Sequence, residues 1–215
     1  IGQGKPEKIQ DAVHTVMIIS LISGVFLLVV GQVIARPVLQ LMDTPEDIME
    51  QAVLYLRIYF FGMPFILLYD FGASILRSMG DTKRPLYCLI FSGIVNASLN
   101  MVFVIVFHMD VAGVAIATVV SNVLSSGMVF RFLLHEKEPF RIHIRQLHLN
   151  LPVAGMILKI GVPAGVQSMV FSFANVCIQA VLNGYGANAV AGSSVALNFE
   201  YVVYFVVTAF SQAVV

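Results

Sequence analysis

Apolar residues in this chain come in long unbroken runs separated by short polar breaks, and not in the alternation of a half-buried strand. Six runs stand out, at about 13–35, 50–76, 86–107, 111–132, 155–182 and 188–215. Crossing about 30 Å of hydrocarbon takes about 20 apolar residues in a helix. Helices are the form that runs of this length take in lipid, because each backbone N–H must find its acceptor within the segment. The pattern therefore predicts an all-α polytopic membrane protein with six transmembrane helices.

The polar breaks set the orientation. Lys5, Lys8, Arg77, Lys83, Arg84, Arg131, Lys137, Arg141 and Arg145 fall in alternate connections, whereas the intervening ones hold Arg36 alone. By the positive-inside rule the first set is cytoplasmic, and both chain ends with it. Thr44-Pro45-Glu46-Asp47 reads as the capped, acidic start of the second helix, and Gly80 as the left-handed residue that ends it. Pro85 falls where the third helix begins. Pro163, between Gly161 and Gly165, predicts a kink or a broken turn in the fifth run. The connection from about 131 to 152, with three histidines and the alternating Arg141-Ile142-His143-Ile144-Arg145, reads as a solvated linker. The organisation expected is 1–132 with four helices, a linker over 133–154, and 155–215 with two helices.

Composition narrows the function classes. The chain of 215 residues is 59% hydrophobic and 11% charged, against about 25% charged residues in a soluble domain. Its net charge is zero, which offers no basic surface for nucleic acid. Cys88 and Cys177 lie inside apolar runs and read as buried thiols. No Cys/His ligand spacing is present, so neither a metal nor a cofactor is expected. The chain starts at Ile1 and ends on an apolar run, which reads as a piece of a larger membrane protein.

Polar residues inside the runs carry the candidate chemistry. Ser92, Asn96 and Asn100 share one face of the third helix. Gly113, Ala117, Ser121 and Ser125 form a small-residue row on the fourth, where close helix packing is the plain reading, with Thr118 and Asn122 beside it. Ser168, Ser172, Asn175 and Gln179 make a polar row on the fifth, and Ser194, Asn198, Tyr201 and Thr208 on the sixth. Polar rows on several helices point to a shared water-accessible interior. Intramembrane carboxylates are functional candidates by default, and Glu200 lies nearest the middle of its run, with Asp70 second. Arg57 reads as a snorkelling side chain. Enzyme signatures such as H-E-x-x-H, G-x-S-x-G or a P-loop are missing. Tyr69-Asp70 and Gly80-Asp81 faintly resemble the paired motifs of intramembrane aspartyl proteases, but both sit on one helix and its following turn.

The run Arg77-x-x-Gly80-Asp81-Thr82-Lys83-Arg84-Pro85, then Asn96-x-x-x-Asn100 and Val111-Ala112-Gly113-Val114-Ala115-x-Ala117-Thr118, resembles the multidrug and toxic compound extrusion (MATE) transporters. Gly2-Gln3-Gly4, Tyr55-Leu56-Arg57-Ile58, Gly62-x-Pro64 and Gly161-Val162-Pro163 are similar to further stretches of that family, so the likeness covers essentially the whole chain. It implies a twelve-helix antiporter of two lobes, of which this chain holds about helices three to eight. Such a protein exports cationic or amphipathic compounds in exchange for H⁺ or Na⁺, as a monomer in the bacterial inner membrane, and is not an enzyme. On the DinF-like pattern, Tyr55, Asn96, Asn100 and Thr118 fall on positions of the ion-coupling network, with Asn100 where an Asp is frequent. Asn175 and Glu200 are candidates for the second lobe's cavity. A lipid-linked precursor flippase, an intramembrane enzyme and a structural helix-bundle subunit are the alternatives.

Overall fold

The computed structural model describes residues 6–214 apart from 43, 45 and 186, with the backbone alone at 6, 7, 47, 145, 183, 187–191 and 211–214. The chain is helical in the order α1 (Pro6–Leu41), α2 (Glu46–Phe61), α3 (Met63–Ser78), α4 (Lys83–Met101), α5 (Asp110–Leu134), α6 (Leu151–Asn183) and α7 (Ala187–Val214). Among the described residues five helices are long and apolar enough to cross a membrane, and the bent pair α2–α3 makes a sixth if it is counted as one span. The chain is a multi-pass membrane protein. It divides into two units, Ile1–Lys159 and Ile160–Val215.

In the first unit α5 is the central element, packed against α2, α3 and α4, while α1 covers α2 and α3. The expected second span is broken at Gly62, where α2 and α3 meet at a 44° bend. The cause is local. Pro64 lacks an amide hydrogen and denies one carbonyl of the preceding turn its partner, and the Gly62 amide turns instead to the Tyr59 carbonyl at 2.9 Å. Gly24 on α1 makes room for the bend, since a Cβ there would lie 2.5 Å from the Pro64 Cα.

The turn from α3 to α4 is built by the motif residues. Gly80 takes φ +85°, a conformation that suits a residue without Cβ. Its amide donates to the Arg77 carbonyl at 2.9 Å and the Asp81 amide to Leu76 at 3.1 Å, the Schellman pattern that closes a helix C-terminus. Asp81 then caps α4, its Oδ1 accepting the amides of Lys83 and Arg84 at 3.1 Å each. The Arg84 guanidinium bridges Asp81 to Glu136 beyond α5 and lies 5.8 Å from the Phe132 ring centre. It holds the Asp81 carboxyl below the usual carboxylate range. Pro85 lies in the first turn of α4 as expected, and its carbonyl accepts the Tyr69 hydroxyl at 3.1 Å.

The hydrophobic core collects at this end of the unit, from Val13, Met17, Tyr69, Leu76, Cys88, Val129, Leu133 and Ile142. Ile142 comes from the connection expected to be solvated. It is 2% exposed, and its amide donates to the Leu133 carbonyl at 3.1 Å. Its polar neighbours fasten the same segment to α1. His148 Nε2 lies 2.8 Å from Asp11, Asn150 Nδ2 donates to the other Asp11 oxygen at 2.9 Å, and the Asn150 amide donates to the Thr15 hydroxyl at 3.1 Å. The His143 amide donates to His14 Nε2 at 3.4 Å. The connection is docked on α1 while most of its described side chains stay exposed, because alternation turns Ile142 inward and histidine and asparagine side chains reach α1.

In the second unit α6 is continuous through Pro163, without the broken turn, one of the two forms expected there. Described side chains of residues 160–210 are exposed almost throughout. Among the described residues α6 and α7 make no side-by-side contact. Cys88 is buried as expected, whereas Cys177 is exposed, since nothing in its own unit covers α6. The capped start expected at Thr44–Asp47 rests on Pro45 and the Asp47 side chain, and Gly2-Gln3-Gly4 on residues 2–4, all outside the described residues.

Candidate functional site

Three of the six sequence-predicted site residues come together between α4 and α5. Asn96, one turn before Asn100, aims its amide across to α5, where Nδ2 lies 3.4 Å from Thr118 Oγ1 and 3.3 Å from Ser121 Oγ. Both hydroxyls are committed backwards. Thr118 Oγ1 donates to the Val114 carbonyl at 2.9 Å and Ser121 Oγ to the Thr118 carbonyl at 2.8 Å. They therefore present lone pairs to Asn96, which fixes which end of its amide faces them. Asn96 Oδ1 accepts Asn100 Nδ2 at 3.0 Å. A turn earlier, Ser92 donates to the Ser121 carbonyl at 2.8 Å.

The relay ends on Asn100 Oδ1, a buried acceptor with no donor among the described residues. Buried polar atoms ordinarily find a partner, and leaving an acceptor unsatisfied costs about 1–3 kcal/mol. An amide does not titrate, so what this oxygen can receive is a donor hydrogen, a water or a cation. Immediately beyond Asn100 the helix widens into a π-turn, Val102–Val106, in which the Phe107 amide reaches back to the Val102 carbonyl at 3.1 Å. Such turns are frequent at functional sites. Sequence periodicity missed this one, and a run of Val, Phe and Ile carries no signal that would have shown it.

Close helix approach is what allows the relay. Ala117 is fully buried, and Gly113, Ser121 and Ser125 of the small-residue row are buried with it. A Cβ at Gly113 would come within 2.9 Å of the Phe103 Cβ. The row lets α4 lie near enough for short side chains to bond across.

Tyr55 stands apart from this cluster. On α2 it stacks with Tyr59, ring centres 6.2 Å apart and planes 14° from parallel. It also lines an apolar cleft of about 700 Å³ with Ile34 and Val38 of α1, Gln51 and Phe60 of α2, and Val111 of α5. Asn175 and Glu200 belong to the second unit, and both are exposed within it. Asn198 donates to the Ser194 carbonyl at 3.0 Å, and Tyr201 stacks with Phe205 at 6.4 Å. Asp70 is exposed on α3, with Arg77 donating instead to the Ser74 hydroxyl at 3.1 Å. Among the described residues no group of His, Cys, Asp and Glu is arranged to hold a metal ion.

Comparison with known proteins places this geometry. The MatE family model matches residues 1–102. The probable multidrug resistance protein YoeA of Bacillus subtilis is 30% identical over 90% of this chain and 43% of its own length. YpnP, a second probable multidrug resistance protein of the same organism, is 35% identical over 75% of this chain and 36% of its own. Among solved structures, an inward-facing multidrug resistance MATE transporter of the MOP superfamily superposes with TM-score 0.74 and 26% identity, over 84% of this chain and 41% of its own. A MOP superfamily transporter from Pyrococcus furiosus gives TM-score 0.77 and 25% identity, over 89% and 43%. The chain thus spans about two fifths of the length of the relatives it matches. The α3–α4 turn and the α4 members of the relay, Asn96 and Asn100, fall within the residues that the family model matches, and together these matches support a MATE family fragment.

Proposed function

We propose that the protein containing this chain exports amphipathic or cationic compounds by alternating access, driven by exchange for H⁺ or Na⁺. The α4–α5 relay is the seat of coupling. The observation that carries this is the buried, donor-less Asn100 carbonyl at the end of an otherwise satisfied chain of hydrogen bonds. A coupling ion drives such a cycle only through different affinities for the two states. An acceptor whose surroundings depend on how α4 lies against α5 supplies such a difference.

Because the relay contains amides and hydroxyls and no carboxylate, it receives Na⁺ directly, or meets a proton carried on an acid elsewhere in the protein. The basic turns face the cytoplasm of a plasma-membrane protein that works as a monomer. Glu200 and the aromatic residues around it, Tyr201 and Tyr204, supply the carboxylate and ring faces that an organic cation prefers. Glu200 and Asn175 act in substrate binding, whereas Tyr55, Asn96, Asn100 and Thr118 serve coupling.

The test is flux of a fluorescent organic cation by the full-length protein in proteoliposomes, with imposed Na⁺ or H⁺ gradients in separate arms. Export that follows one gradient and collapses when it is dissipated is the expected result. Flux indifferent to both gradients overturns the antiport reading.

A further inference from the structure

Arg57 is placed where its chemistry has no use in the relay. It sits two residues after Tyr55 on α2, about 200° around the helix at 100° per residue. The two side chains therefore serve opposite flanks. Tyr55 lines the 700 Å³ cleft, and Arg57 lines a separate one of about 380 Å³ with Gln32, Ile58, Phe61, Ile116 and Val119. Apart from Arg57 and Gln32 the walls are hydrocarbon. Gln32 Nε2 donates to the Arg57 carbonyl at 2.8 Å, tying α1 to α2 at this level. Arg57 is exposed, and it is not among the ion-paired arginines of the described residues, which are Arg36 and Arg84.

Depth decides what anion can reach it. Arg36 and Glu50 form an ion pair at 3.0 Å with both side chains largely exposed, which marks the polar level at this end of the bundle. Arg57 lies seven residues further along α2, about 10 Å deeper at 1.5 Å per residue. A snorkelling arginine recovers much of that distance, keeping its stem along apolar surface and bringing its head up to the interface. Ile58 and Phe61 continue inward from it, so the cleft has a cationic mouth and a greasy floor.

We propose that this cleft seats an anionic phospholipid of the leaflet opposite the basic turns, its phosphate held by the Arg57 guanidinium and its acyl chain laid along Ile58, Phe61, Ile116 and Val119. A planar guanidinium fork matches two phosphate oxygens at once. An acyl chain is the form in which apolar matter arrives at this depth in a bilayer.

Native mass spectrometry of the full-length transporter, titrated with phosphatidylglycerol, reads the site directly. Wild type is expected to hold one phosphatidylglycerol about fivefold more tightly than Arg57→Ala, the effect of one basic residue near a membrane surface. Arg36→Ala, whose guanidinium is already paired, keeps wild-type binding. Arg57→Gln preserves stem length and carries the same expectation as Arg57→Ala, which covers the case in which the truncated variant does not fold. Phosphatidylcholine is expected to bind more weakly than phosphatidylglycerol in wild type and equally in the variants. Unchanged phosphatidylglycerol binding in Arg57→Ala or Arg57→Gln overturns the proposal. So does an equal loss of both lipids, or displacement of the lipid by inorganic phosphate at the same concentration.

Discussion

Residues up to 159 and residues from 160 onward are both mainly apolar but differ in internal structure, and the second stretch has Glu200 as its one charged residue. The first unit buries polar side chains against helix neighbours, Ser92, Ser121, Ser125 and Ser126 among them. The second carries polar rows on α6 and α7 whose described side chains are mostly exposed, as are Val170 at 66% and Phe199 at 72%. Helix number accounts for the difference in burial. Burying a helix on more than one side takes several neighbours, and α5 has three in α2, α3 and α4. Amides in hydrocarbon are tolerated when a partner lies across a helix pair. The first unit supplies that partner to Asn96 from within, whereas Asn175 and Glu200 are exposed in the second.

The largest expected effect is on stability. Leu76 is fully buried in the core at the α3 end, and Leu76→Ala should cost about 2–5 kcal/mol. Val170→Ala on α6 should stay within about 0.5 kcal/mol, as for an exposed substitution. The comparison is read as thermal unfolding of the 215-residue chain in detergent, and equal losses at the two sites would break the contrast.

Next in size is a split in transport. Glu200→Gln in the full-length protein is expected to raise the KM for an organic cation severalfold, because it removes the carboxylate and leaves the relay intact. Unchanged KM and unchanged drug resistance at equal expression would retire Glu200.

A smaller effect concerns the connection docked on α1. The His148 imidazole is held above the usual histidine range by the Gln146 carbonyl and by Asp11. A raised pKa in the folded state adds stability that is fully present below the ordinary value near 6.5 and is lost as pH rises through the raised one. Thermal midpoints measured from pH 6 to 8 should therefore fall in wild type more than in His148→Asn. Parallel slopes would show that this pair does not hold the connection.

Much of the fold was legible because lipid imposes length. The six apolar runs return as five helices long enough to span and the bent pair α2–α3, and Gly80 and Pro85 sit where turn chemistry requires. The spacing of Asn96, Asn100 and Thr118 foretold one face on each of two helices, and packing along the small-residue row brought those faces together. Three things were not legible. The break at Gly62 depends on α1 offering Gly24 opposite Pro64, a contact between residues 40 positions apart. The docking of residues 141–150 depends on His14 and Asp11, which local alternation cannot see. The π-turn after Asn100 has no compositional mark. Glu200 was placed by depth and Asn175 by the polar row on its helix, and neither says what a side chain meets.

Asn100 is where a coupling role for the relay is tested most directly. Gradient-driven export should be measured in proteoliposomes for wild type, Asn100→Leu and Asn100→Asp of the full-length protein. The expected result is that Asn100→Leu binds substrate normally but loses about tenfold or more of its gradient-driven flux, while Asn100→Asp retains flux and acquires a new dependence on pH. Wild-type coupling in Asn100→Leu, together with an unaltered pH profile in Asn100→Asp, would contradict a coupling role for the α4–α5 relay.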